Sequence, residues 1–333
     1  MANNSPYANL PVLLLGASGF IGRSVAQALS RAGAALTLVA RDAARTKAAL
    51  EPLEIKGPVV ECDLGGSGDL GALVLETRPA VVFNLAGYGV DPTERAEATA
   101  RALNAELVRR LADAMLSRDL PAWRGQRIVH AGSALEYGAA GADLPEDGPA
   151  LPTSVYGRTK LSGTLTLEAA GRTHGLRAVT ARLFTVYGPG EHAPRLLPTL
   201  LAARGSTEPI PLTDGMQQRD FTFVEDAADG LLRLGIAPVP PGAIVNLATG
   251  RLTSVRTFAE TAADVLGLPR HRLRFGSLPT RPEEMRHGPV TLARLRGLTG
   301  WAPSVGIPEG VLRTKQAEDT GAAVHHVALD GRR

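Results

Sequence analysis

The chain of 333 residues is long enough for one large or two modest domains with a substantial core. Its 36 basic and 33 acidic residues give a net charge of +3 without any block of five like charges, so nucleic-acid binding is not expected. Cys62 is the only cysteine, which excludes an intrachain disulfide and zinc sites built on several thiolates. The histidines show no paired ligand spacing, and metal catalysis is therefore not expected either.

Membrane association is also not expected from the sequence. No apolar run approaches the length of a membrane span, and the first ten residues carry neither a basic segment nor an apolar segment of signal-peptide length. The sequence therefore predicts a cytoplasmic protein.

The first predicted element is a short apolar strand at Pro11–Leu15, followed by a glycine-rich loop and a helix that stops near Gly33. The glycines are spaced G-x-x-G-x-x-G, where G-x-G-x-x-G is commoner. Glycines at this point let the backbone approach a pyrophosphate, which the helix amino terminus then stabilises. The order of strand, loop and helix therefore predicts a dinucleotide site. Its candidate contacts are Gly16, Ser18, Gly19, Phe20, Ile21 and Gly22.

The second predicted strand, Ala35–Val39, indicates which dinucleotide is bound. Sites specific for NAD usually place an acid after this strand to bond the ribose 2′-hydroxyl. Here Arg41 follows the strand, and an arginine can bind a 2′-phosphate through two hydrogen bonds. The sequence therefore favours NADP(H), with NAD(H) as the alternative if Asp42 reaches back to the ribose and Arg41 points into water.

Two further strands complete the predicted cofactor half. The third strand and its turn, Val59–Leu64, place Asp63 for the adenine amino group, with Leu64 beside it. A fourth strand, Ala80–Leu85, ends in small residues that let the chain pass close to the cofactor. The candidate contacts there are Leu85, Ala86 and Gly87. A long helical segment from about Pro92 to Ser117 follows, in which Asn104 is either a structural polar group or an exposed residue.

The predicted chemistry centres on the fifth strand and the helix after it. Ser133 lies just past an apolar strand at 127–131, where open α/β sheets place their chemistry. Tyr156 and Lys160 fall one turn apart on a helix that Thr153 or Ser154 would cap. A nearby ammonium and a positive nicotinamide would lower the tyrosine pKa, and the phenol could then exchange a proton with a carbinol. The alternative is a surface tyrosine beside a solvated lysine.

The second half of the chain is looser, with proline- and glycine-rich segments and shorter helices near 194–203, 226–234 and 255–266. A strand at Ile244–Ala248 lies either in this part or back in the main sheet. The predicted architecture is a doubly wound (Rossmann) parallel sheet with a smaller C-terminal substrate-binding lobe at the carboxyl edge. The predicted divisions are an N-terminal extension (1–10), a dinucleotide-binding domain (11–183), the lobe (184–313) and a loosely ordered tail (314–333).

Several motifs in a fixed order give the chain a resemblance to the extended short-chain dehydrogenase/reductase family, and in particular to its sugar-nucleotide epimerase and dehydratase branch. The resemblance covers about residues 11 to 313. The motifs are Gly16–Gly22, Asn84-Leu85-Ala86-Gly87, Ser133 with Tyr137-Gly138, Tyr156 with Lys160, Arg182–Gly190, Arg219–Asp226 and Arg281-Pro282-Glu283-Glu284.

The resemblance implies roles for particular residues. Ser133, Tyr156 and Lys160 correspond to the family's catalytic residues, whereas Arg219 and Arg281 correspond to a clamp on the substrate diphosphate. Two planar guanidiniums from separate loops do suit a diphosphate. The alternative for each arginine is a surface ion pair, which for Arg281 would form with a neighbouring glutamate.

Two departures from the family pattern narrow the expected reaction. Dehydratases of the family carry an Asp-Glu pair directly after the catalytic hydroxyl residue, where this chain has Ala134-Leu135. Glu136 lies one place further along, so elimination of water has no evident acid and base. Thr185 stands where many relatives have asparagine, and it is kept as a candidate substrate contact.

We therefore expect an NADPH-dependent 4-ketoreductase of a nucleotide-linked 4-keto-6-deoxy sugar, because NADPH suits a net reduction. A nucleotide-sugar 4-epimerase is the main alternative. A carbonyl reductase of compounds without a nucleotide and a non-catalytic dinucleotide sensor are further alternatives, which the two arginines and the intact catalytic residues respectively disfavour. The resemblance also implies a homodimer formed through the helices near 92–117 and 154–174.

Overall fold

A seven-stranded parallel sheet organises the structure, a computed structural model that describes residues 5–89, 93–116, 119–141, 144–280 and 286–321. The strands in these residues are β1 (Pro11–Leu15), β2 (Ala35–Ala40), β3 (Val59–Glu61), β4 (Val81–Asn84), β5 (Ile128–Ser133), β6 (Ala178–Leu183), β7 (Thr185–Tyr187), β8 (Ile210–Pro211), β9 (Gln218–Phe223), β10 (Ala243–Leu247), β11 (Leu252–Ser254) and β12 (Leu273–Arg274). The main sheet has the order β3-β2-β1-β4-β5-β6-β10, with every pair parallel. This is the doubly wound α/β fold that the sequence predicts.

The helices of the described residues either cover the two faces of this sheet or pack in a smaller lobe. They are α1 (Phe20–Arg31), α2 (Ala43–Leu50), α3 (Leu70–Thr77), α4 (Glu97–Arg101), α5 (Leu107–Leu116), α6 (Val155–His174), α7 (Leu196–Ala202), α8 (Val224–Ile236), α9 (Val255–Leu266), α10 (Ala293–Thr299) and α11 (Ile307–Asp319). A π-helical turn, Ala102–Glu106, joins α4 to α5, so the predicted helix at 92–117 begins at Glu97 in the structure. Within the described ranges, none of the helices is both long and apolar enough to cross a membrane.

Strand β1 shows why its sequence is apolar at every position. Val12 and Leu14 pack on one face of the sheet with α1 and α8, whereas Leu13 and Leu15 pack on the other face with α3, α5 and α6. A parallel strand covered by helices on both sides cannot alternate apolar and polar residues. The apolar run therefore predicts the central position that β1 occupies.

The smaller lobe has its own aromatic core. A three-stranded sheet (β7-β9-β11) and a two-stranded sheet (β8-β12) pack with α7, α9 and α11. Phe221 and Phe258 stack with ring centroids 4.2 Å apart, and the Tyr187 ring meets Phe258 edge-on at 5.1 Å. Such contacts stabilise the lobe beyond the burial of its apolar area.

The predicted division at residue 183 is not a clean boundary in the structure. Strand β10 pairs in parallel with β6, so the strand expected at Ile244–Ala248 lies in the main sheet. Helix α8, which the sequence assigned to the lobe, packs its buried side with α1 against the main sheet. The reason is that both elements carry apolar residues that complete the core of the main sheet.

Both ends of the described chain pack against the rest of the structure. Tyr7, in the predicted extension, is 3% exposed and its hydroxyl donates to the Leu232 carbonyl at 2.6 Å. The prediction of a loosely ordered tail from residue 314 is wrong for residues 314–319, because α11 continues to Asp319. Thr314 is 1% exposed and donates to the Gly310 carbonyl within α11 at 2.7 Å, and Val311 of the same helix packs in the lobe core. Residues 322–333 lie outside the described part of the chain.

The glycine-rich loop allows three elements to meet without side chains between them. Gly16 has a φ of +80°, and a Cβ added there would lie 2.7 Å from the Ala86 backbone nitrogen, just past β4. A Cβ added at Gly22, on α1, would lie 2.0 Å from the Gly16 carbonyl oxygen. The start of α1 can approach the loop this closely only because position 22 is glycine.

We predict opposite effects for two glycine-to-alanine substitutions on helices. Gly22→Ala should lower the free energy of unfolding by about 1–3 kcal/mol, because the added methyl overlaps fixed backbone. Gly297→Ala on α10 meets nothing within 4 Å, and it should be neutral or stabilising by up to about 1 kcal/mol through helix propensity. Chemical denaturation of both variants measures the difference. Equal stabilities would contradict the packing described for the loop.

Candidate functional site

The candidate residues collect at the carboxyl edge of the main sheet. The glycine loop follows β1, Arg41 follows β2, and Leu85 to Gly87 follow β4, while Ser133 is the last residue of β5. Parallel strands bring all their carboxyl ends to one edge, which is where open α/β sheets bind ligands. The order of the elements along the chain therefore explains why these distant residues share one region.

Ser133, Tyr156 and Lys160 lie together there. Ser154 caps α6, and its hydroxyl accepts from the Gly157 amide at 3.0 Å, which places Tyr156 in the first turn of the helix. The Ser133 hydroxyl lies close enough to Tyr156 to lower the pKa of its phenol. Lys160 follows one turn later and is 3% exposed. The arrangement brings two hydroxyls and an ammonium to one place.

The electrostatics of Tyr156 differ from the sequence expectation. Burial raises the pKa of Tyr156 to about 12, and the Glu136 and Glu94 carboxylates also raise it, whereas the Ser133 hydroxyl and the Arg195 guanidinium lower it. The expected lowering by Lys160 is wrong for the protein alone. Loss of hydration outweighs the neighbouring positive charge, so the phenol is neutral at pH 7 and can donate a proton.

Lys160 has the opposite shift. Burial lowers the pKa of its ammonium to about 8, and the Glu136 carboxylate raises the pKa in part against this. His130 on β5 is fully buried, and both burial and the charge of Lys160 lower its pKa well below its ordinary value. His130 is therefore neutral at pH 7 and adds no positive charge beside Lys160.

Sequence reasoning did not assign a role to Glu136, which the structure places directly under Ser133. It ends a short 3₁₀ turn, Ala134–Glu136, and its side chain is fully buried. One oxygen, Oε1, accepts from the Ser133 amide at 2.8 Å, and Oε2 accepts from Nε of Arg182 at 2.9 Å. An arginine in the otherwise apolar strand Ala178–Leu183 was the signal that a buried acid must lie nearby.

Asn104, left open by the sequence, is a buried structural bridge. Its amide nitrogen donates to the Tyr88 carbonyl at 2.8 Å and to Oγ1 of Thr159 at 2.9 Å, and its oxygen accepts from the Tyr88 amide at 3.0 Å. It lies in the π-helical turn between α4 and α5. Asn104 thus ties the chain after β4 to the helix that carries Tyr156.

Arg23 on α1 is a second residue that sequence reasoning missed. It is 5% exposed, and it donates through Nη2 to the Gly190 carbonyl at 2.7 Å and through Nη1 to the Ser18 carbonyl at 3.4 Å. This guanidinium joins the glycine loop to the segment after β7. A cation at this place in an amphipathic helix was its only sequence signal.

Glu191 and Arg195 form an ion pair beside Tyr156. Nε of Arg195 lies 2.6 Å from Oε1 of Glu191, which is 5% exposed. Among the described residues, Oε2 of Glu191 has no hydrogen-bond partner, and burial raises the pKa of this carboxyl to about 7. The Arg195 charge acts on Tyr156, so this pair borders the candidate site.

The start of α1 fits a dinucleotide pyrophosphate. The helix begins after Gly19, and no side chain caps its first turn, so its amides face the loop. A Cβ added at Gly19 would lie 3.3 Å from the Gly16 carbonyl oxygen, so a side chain would be tight there. Backbone amides at a helix amino terminus, approached over glycine, are a well-suited site for a diphosphate.

The other candidate cofactor contacts line the same edge. Arg41 is exposed directly after β2, and Oδ1 of Asp42 accepts from the Arg45 amide at 2.8 Å as the cap of α2. Asp63 is exposed after β3, whereas Leu64 beside it is buried. The structure thus brings the residues that follow β1, β2, β3 and β4 to one side of the sheet.

The candidate substrate residues lie on the lobe. Thr185 opens β7 and is paired in register with Phe221 of β9, and Arg219 lies on the same β9, opposite Thr253 of β11. The neighbouring Asp220 is 1% exposed and accepts from the Thr249, Gly250 and Arg251 amides. Arg281 lies outside the described residues. In the described part of the chain, no three His, Cys, Asp or Glu side chains form a group that could hold a metal ion.

The chain has clear similarity to known proteins. The family model described as "NAD dependent epimerase/dehydratase family" matches residues 12–248. A dTDP-6-deoxy-L-talose 4-dehydrogenase (NAD(P)(+)) of Kitasatospora kifunensis is 31% identical over 322 residues, which cover 93% of this chain and 96% of that protein. A UDP-glucose 4-epimerase of Azospirillum brasilense is 29% identical over 331 residues, covering 91% and 90%.

Solved structures share the fold. A UDP-glucuronic acid 4-epimerase from Bacillus cereus, in complex with UDP-glucuronic acid and NAD, superposes with a TM-score of 0.80 at 22% identity. The superposition covers 93% of this chain and 99% of the epimerase. At this level of identity the likeness establishes the architecture.

We predict that Glu191 makes stability depend on pH. Its pKa in the folded protein, about 7, exceeds the value near 4.5 of an exposed glutamate, so the folded state binds the proton more tightly. The stabilising effect is present below about pH 4.5 and is lost as the pH rises through 7. Relative to the wild type, Glu191→Gln should therefore gain about 2 kcal/mol in free energy of unfolding between pH 5 and pH 8.

Urea denaturation at the two pH values measures this difference. Glu208→Gln, at an exposed position, serves as the control and should show no such gain. A Glu191→Gln variant that parallels the wild type at both pH values would show that Glu191 titrates normally.

Proposed function

Because the chain belongs to the NAD-dependent epimerase/dehydratase family of extended short-chain dehydrogenases/reductases, we propose that it is an NADPH-dependent 4-ketoreductase of a nucleotide-linked 4-keto-6-deoxy sugar. The observation that carries the proposal is the cluster of Ser133, Tyr156 and Lys160 beside a turn that has no spare carboxylate. The Kitasatospora relative, by its name, oxidises or reduces position 4 of a deoxysugar nucleotide, which supports the choice.

In this proposal the three residues act on one substrate oxygen. Ser133 donates a hydrogen bond to the carbonyl oxygen, and Tyr156 transfers its phenolic proton to the same oxygen as the carbinol forms. Lys160 stabilises the phenolate left on Tyr156, and its ammonium is available because its pKa of about 8 lies above neutral pH. The bound dinucleotide supplies the hydride and a positive nicotinamide in its oxidised form.

The turn after Ser133 argues against dehydration. Ala134 and Leu135 have aliphatic side chains without an ionisable group, so neither can replace an acid or a base. Glu136 is the one carboxylate of the turn, and both its oxygens are engaged, by the Ser133 amide and by Arg182. Elimination of water from the sugar therefore has no agent in this turn.

Arg41 supports NADP(H) as the preferred cofactor. It is exposed at the end of β2, where a ribose 2′-phosphate would lie. The competing acid, Asp42, already has one oxygen committed as the cap of α2, which weakens its use for a 2′-hydroxyl. NAD(H) stays the alternative cofactor.

Arg219 and Arg281 are proposed to bind the substrate diphosphate, with Thr185 as a further contact. Arg219 and Thr185 lie on neighbouring strands of the lobe sheet, β9 and β7, which supports a shared role. Asp220 supports Arg219 by fixing the chain at Thr249–Arg251 beside it. Guanidiniums suit the paired oxygens of a diphosphate.

A nucleotide-sugar 4-epimerase is the second candidate. The Azospirillum relative supports it over nearly the whole chain, and Ser133, Tyr156 and Lys160 would serve oxidation and reduction alike. The two candidates differ in whether the dinucleotide is consumed or recycled, which an experiment separates.

A homodimer is proposed through α5 and α6. The two helices pack closely within the chain, because a Cβ added at Gly163 on α6 would lie 3.1 Å from Cγ2 of Val108 on α5. The outer side of α6 leaves Leu165 49% exposed in a shallow depression lined by Pro152, Arg158 and Leu161. An exposed apolar side chain in such a depression is suited to packing against a second copy.

The function is tested with a panel of nucleotide-linked sugars. We expect at least one nucleotide-linked 4-keto-6-deoxy sugar to consume NADPH stoichiometrically, and nucleotide sugars without the keto group to consume none. Tyr156→Phe should lower kcat by about 10²–10⁴-fold, because only the transferable proton is lost. Tyr7→Phe is the matched control, since that hydroxyl bonds Leu232 far from the site and should leave kcat unchanged.

Other results would contradict the assignment. Interconversion of two sugars without a change in nicotinamide absorbance identifies the epimerase. Simple ketones turning over as fast as nucleotide-linked ones, or Arg219→Ala leaving the nucleotide-sugar reaction unaffected, would exclude a sugar-nucleotide enzyme. If the protein binds the dinucleotide but turns over none of the compounds, the non-catalytic dinucleotide sensor is the function that fits.

Cofactor preference is a separate prediction. Fluorescence titration of the purified protein should show NADPH binding more tightly than NADH, because Arg41 pairs with the 2′-phosphate. Arg41→Asp should reverse the order by removing that cation and supplying an acceptor for a 2′-hydroxyl. Arg45→Asp, on the adjoining turn of α2, is the control for a general change of charge. Equal binding of the two cofactors, or no response to Arg41→Asp, would refute the 2′-phosphate assignment.

A further inference from the structure

The carboxylate of Glu136 is hydrogen-bonded to the Ser133 amide, and its charge acts on both Tyr156 and Lys160. Oε1 accepts from the Ser133 amide at 2.8 Å, which fixes the backbone of the residue whose hydroxyl lowers the pKa of Tyr156. Its negative charge acts on both Tyr156 and Lys160, and raises the pKa of each. No other described carboxylate acts on both groups.

Glu136 is itself held rigidly. Its second oxygen accepts from Arg182, which is fully buried on β6, and Arg182 lies over the Tyr137 ring with its Cζ 4.2 Å from the ring centroid. A Cβ added at Gly132 would lie 2.7 Å from Oε1, so the strand is shaped to admit this carboxylate. The side chain has no room to turn toward the substrate.

We propose that Glu136 is a positioning residue that anchors Ser133 through its amide and keeps Lys160 protonated at neutral pH. The proposal rests on the roles given to Ser133, Tyr156 and Lys160 above. It explains why a carboxylate that can take no part in dehydration is buried directly under the site.

The sign of the effect follows from the charges. Burial alone would drive the lysine toward its neutral form, and the nearby carboxylate opposes this by stabilising the ammonium. The other charged groups around the pair come from different elements. Arg195, after β7, and Glu94, before α4, act on Tyr156, and His130 on β5 is kept neutral. Removing the charge of Glu136 should therefore lower the pKa of both Lys160 and Tyr156.

Lys160 can be observed without any substrate. The lysines of the chain are Lys47, Lys56, Lys160 and Lys315, so ¹³Cε-lysine NMR gives a simple spectrum in which Lys160→Arg assigns the signal. In the wild type the signal should titrate near pH 8. In Glu136→Gln, which keeps an acceptor for the Ser133 amide, the pKa of Lys160 should fall by about 1.

Glu146→Gln is the matched control. Glu146 is also a buried carboxylate of the Arg182 surroundings, since its backbone carbonyl accepts from Arg182 and its Oε1 accepts from the Asn246 amide. It acts on Tyr137 but not on Tyr156 or Lys160. The substitution should therefore leave the pKa of Lys160 unchanged. An equal fall in both variants would mean that loosened packing causes it, and would overturn the proposal, as would no fall in Glu136→Gln.

Two further measurements complete the test. If Glu136→Gln leaves Arg182 unpaired and does not fold, the double variant Glu136→Gln/Arg182→Met removes both buried charges, and the same fall in the pKa of Lys160 is expected. An unchanged pKa there overturns the proposal. With an active substrate, Glu136→Gln should lower kcat at neutral pH with little change in KM. The NMR result stands without turnover, so a wrong substrate assignment is distinguishable from a wrong role for Glu136.

Discussion

The burial of one guanidinium constrains the centre of the molecule. Arg182 is fully buried, and a charge without water needs a carboxylate and further polar partners to be tolerated. Glu136 supplies the carboxylate, and the guanidinium of Arg182 stacks over the face of the Tyr137 ring. The Glu146 carbonyl accepts from Nη1 of Arg182 at 3.5 Å. Tyr137 in turn donates to Asn246 of β10 at 2.8 Å. One cation therefore fixes β5, β6, β10 and the chain at residue 146 with respect to one another.

Most of the main sheet could be predicted from the sequence, because its strands are continuous apolar runs bounded by glycine and small polar residues. The predicted capping of α6 by Ser154 and the pairing of Tyr156 with Lys160 on one helix also follow from local pattern. These features depend on neighbours in the chain. The location of Ser133 beside Tyr156 needed one further rule, that parallel strands share a carboxyl edge.

What the sequence could not provide depends on contacts between distant segments. The sequence assigned no role to Glu136, because its partner Arg182 lies 46 positions further along the chain. In the structure, Nε of Arg182 donates to Oε2 of Glu136 at 2.9 Å. Arg23 and Gly190 are separated by 167 positions, and no local pattern links them. For the protein without cofactor, the expected lowering of the pKa of Tyr156 by Lys160 is wrong, because charge was weighed without the loss of hydration that accompanies burial. Helix α8 and the end of α11 were misjudged because their buried faces complete cores formed elsewhere.

The return of β10 to the main sheet has a consequence for how this architecture can be altered. The chain leaves the sheet after β6, builds part of the lobe, re-enters for α8 and β10, and leaves again for β11 and α9. The lobe is thus formed by several chain segments that alternate with elements of the main sheet. Truncation after residue 183 would also delete β10, the strand that pairs with β6. A chimera that exchanges the lobe for that of a relative needs a junction at each crossing. We therefore expect the main sheet and the lobe to be inherited together. New specificity is then expected to arise by substitution of residues within the lobe, not by exchange of the whole lobe.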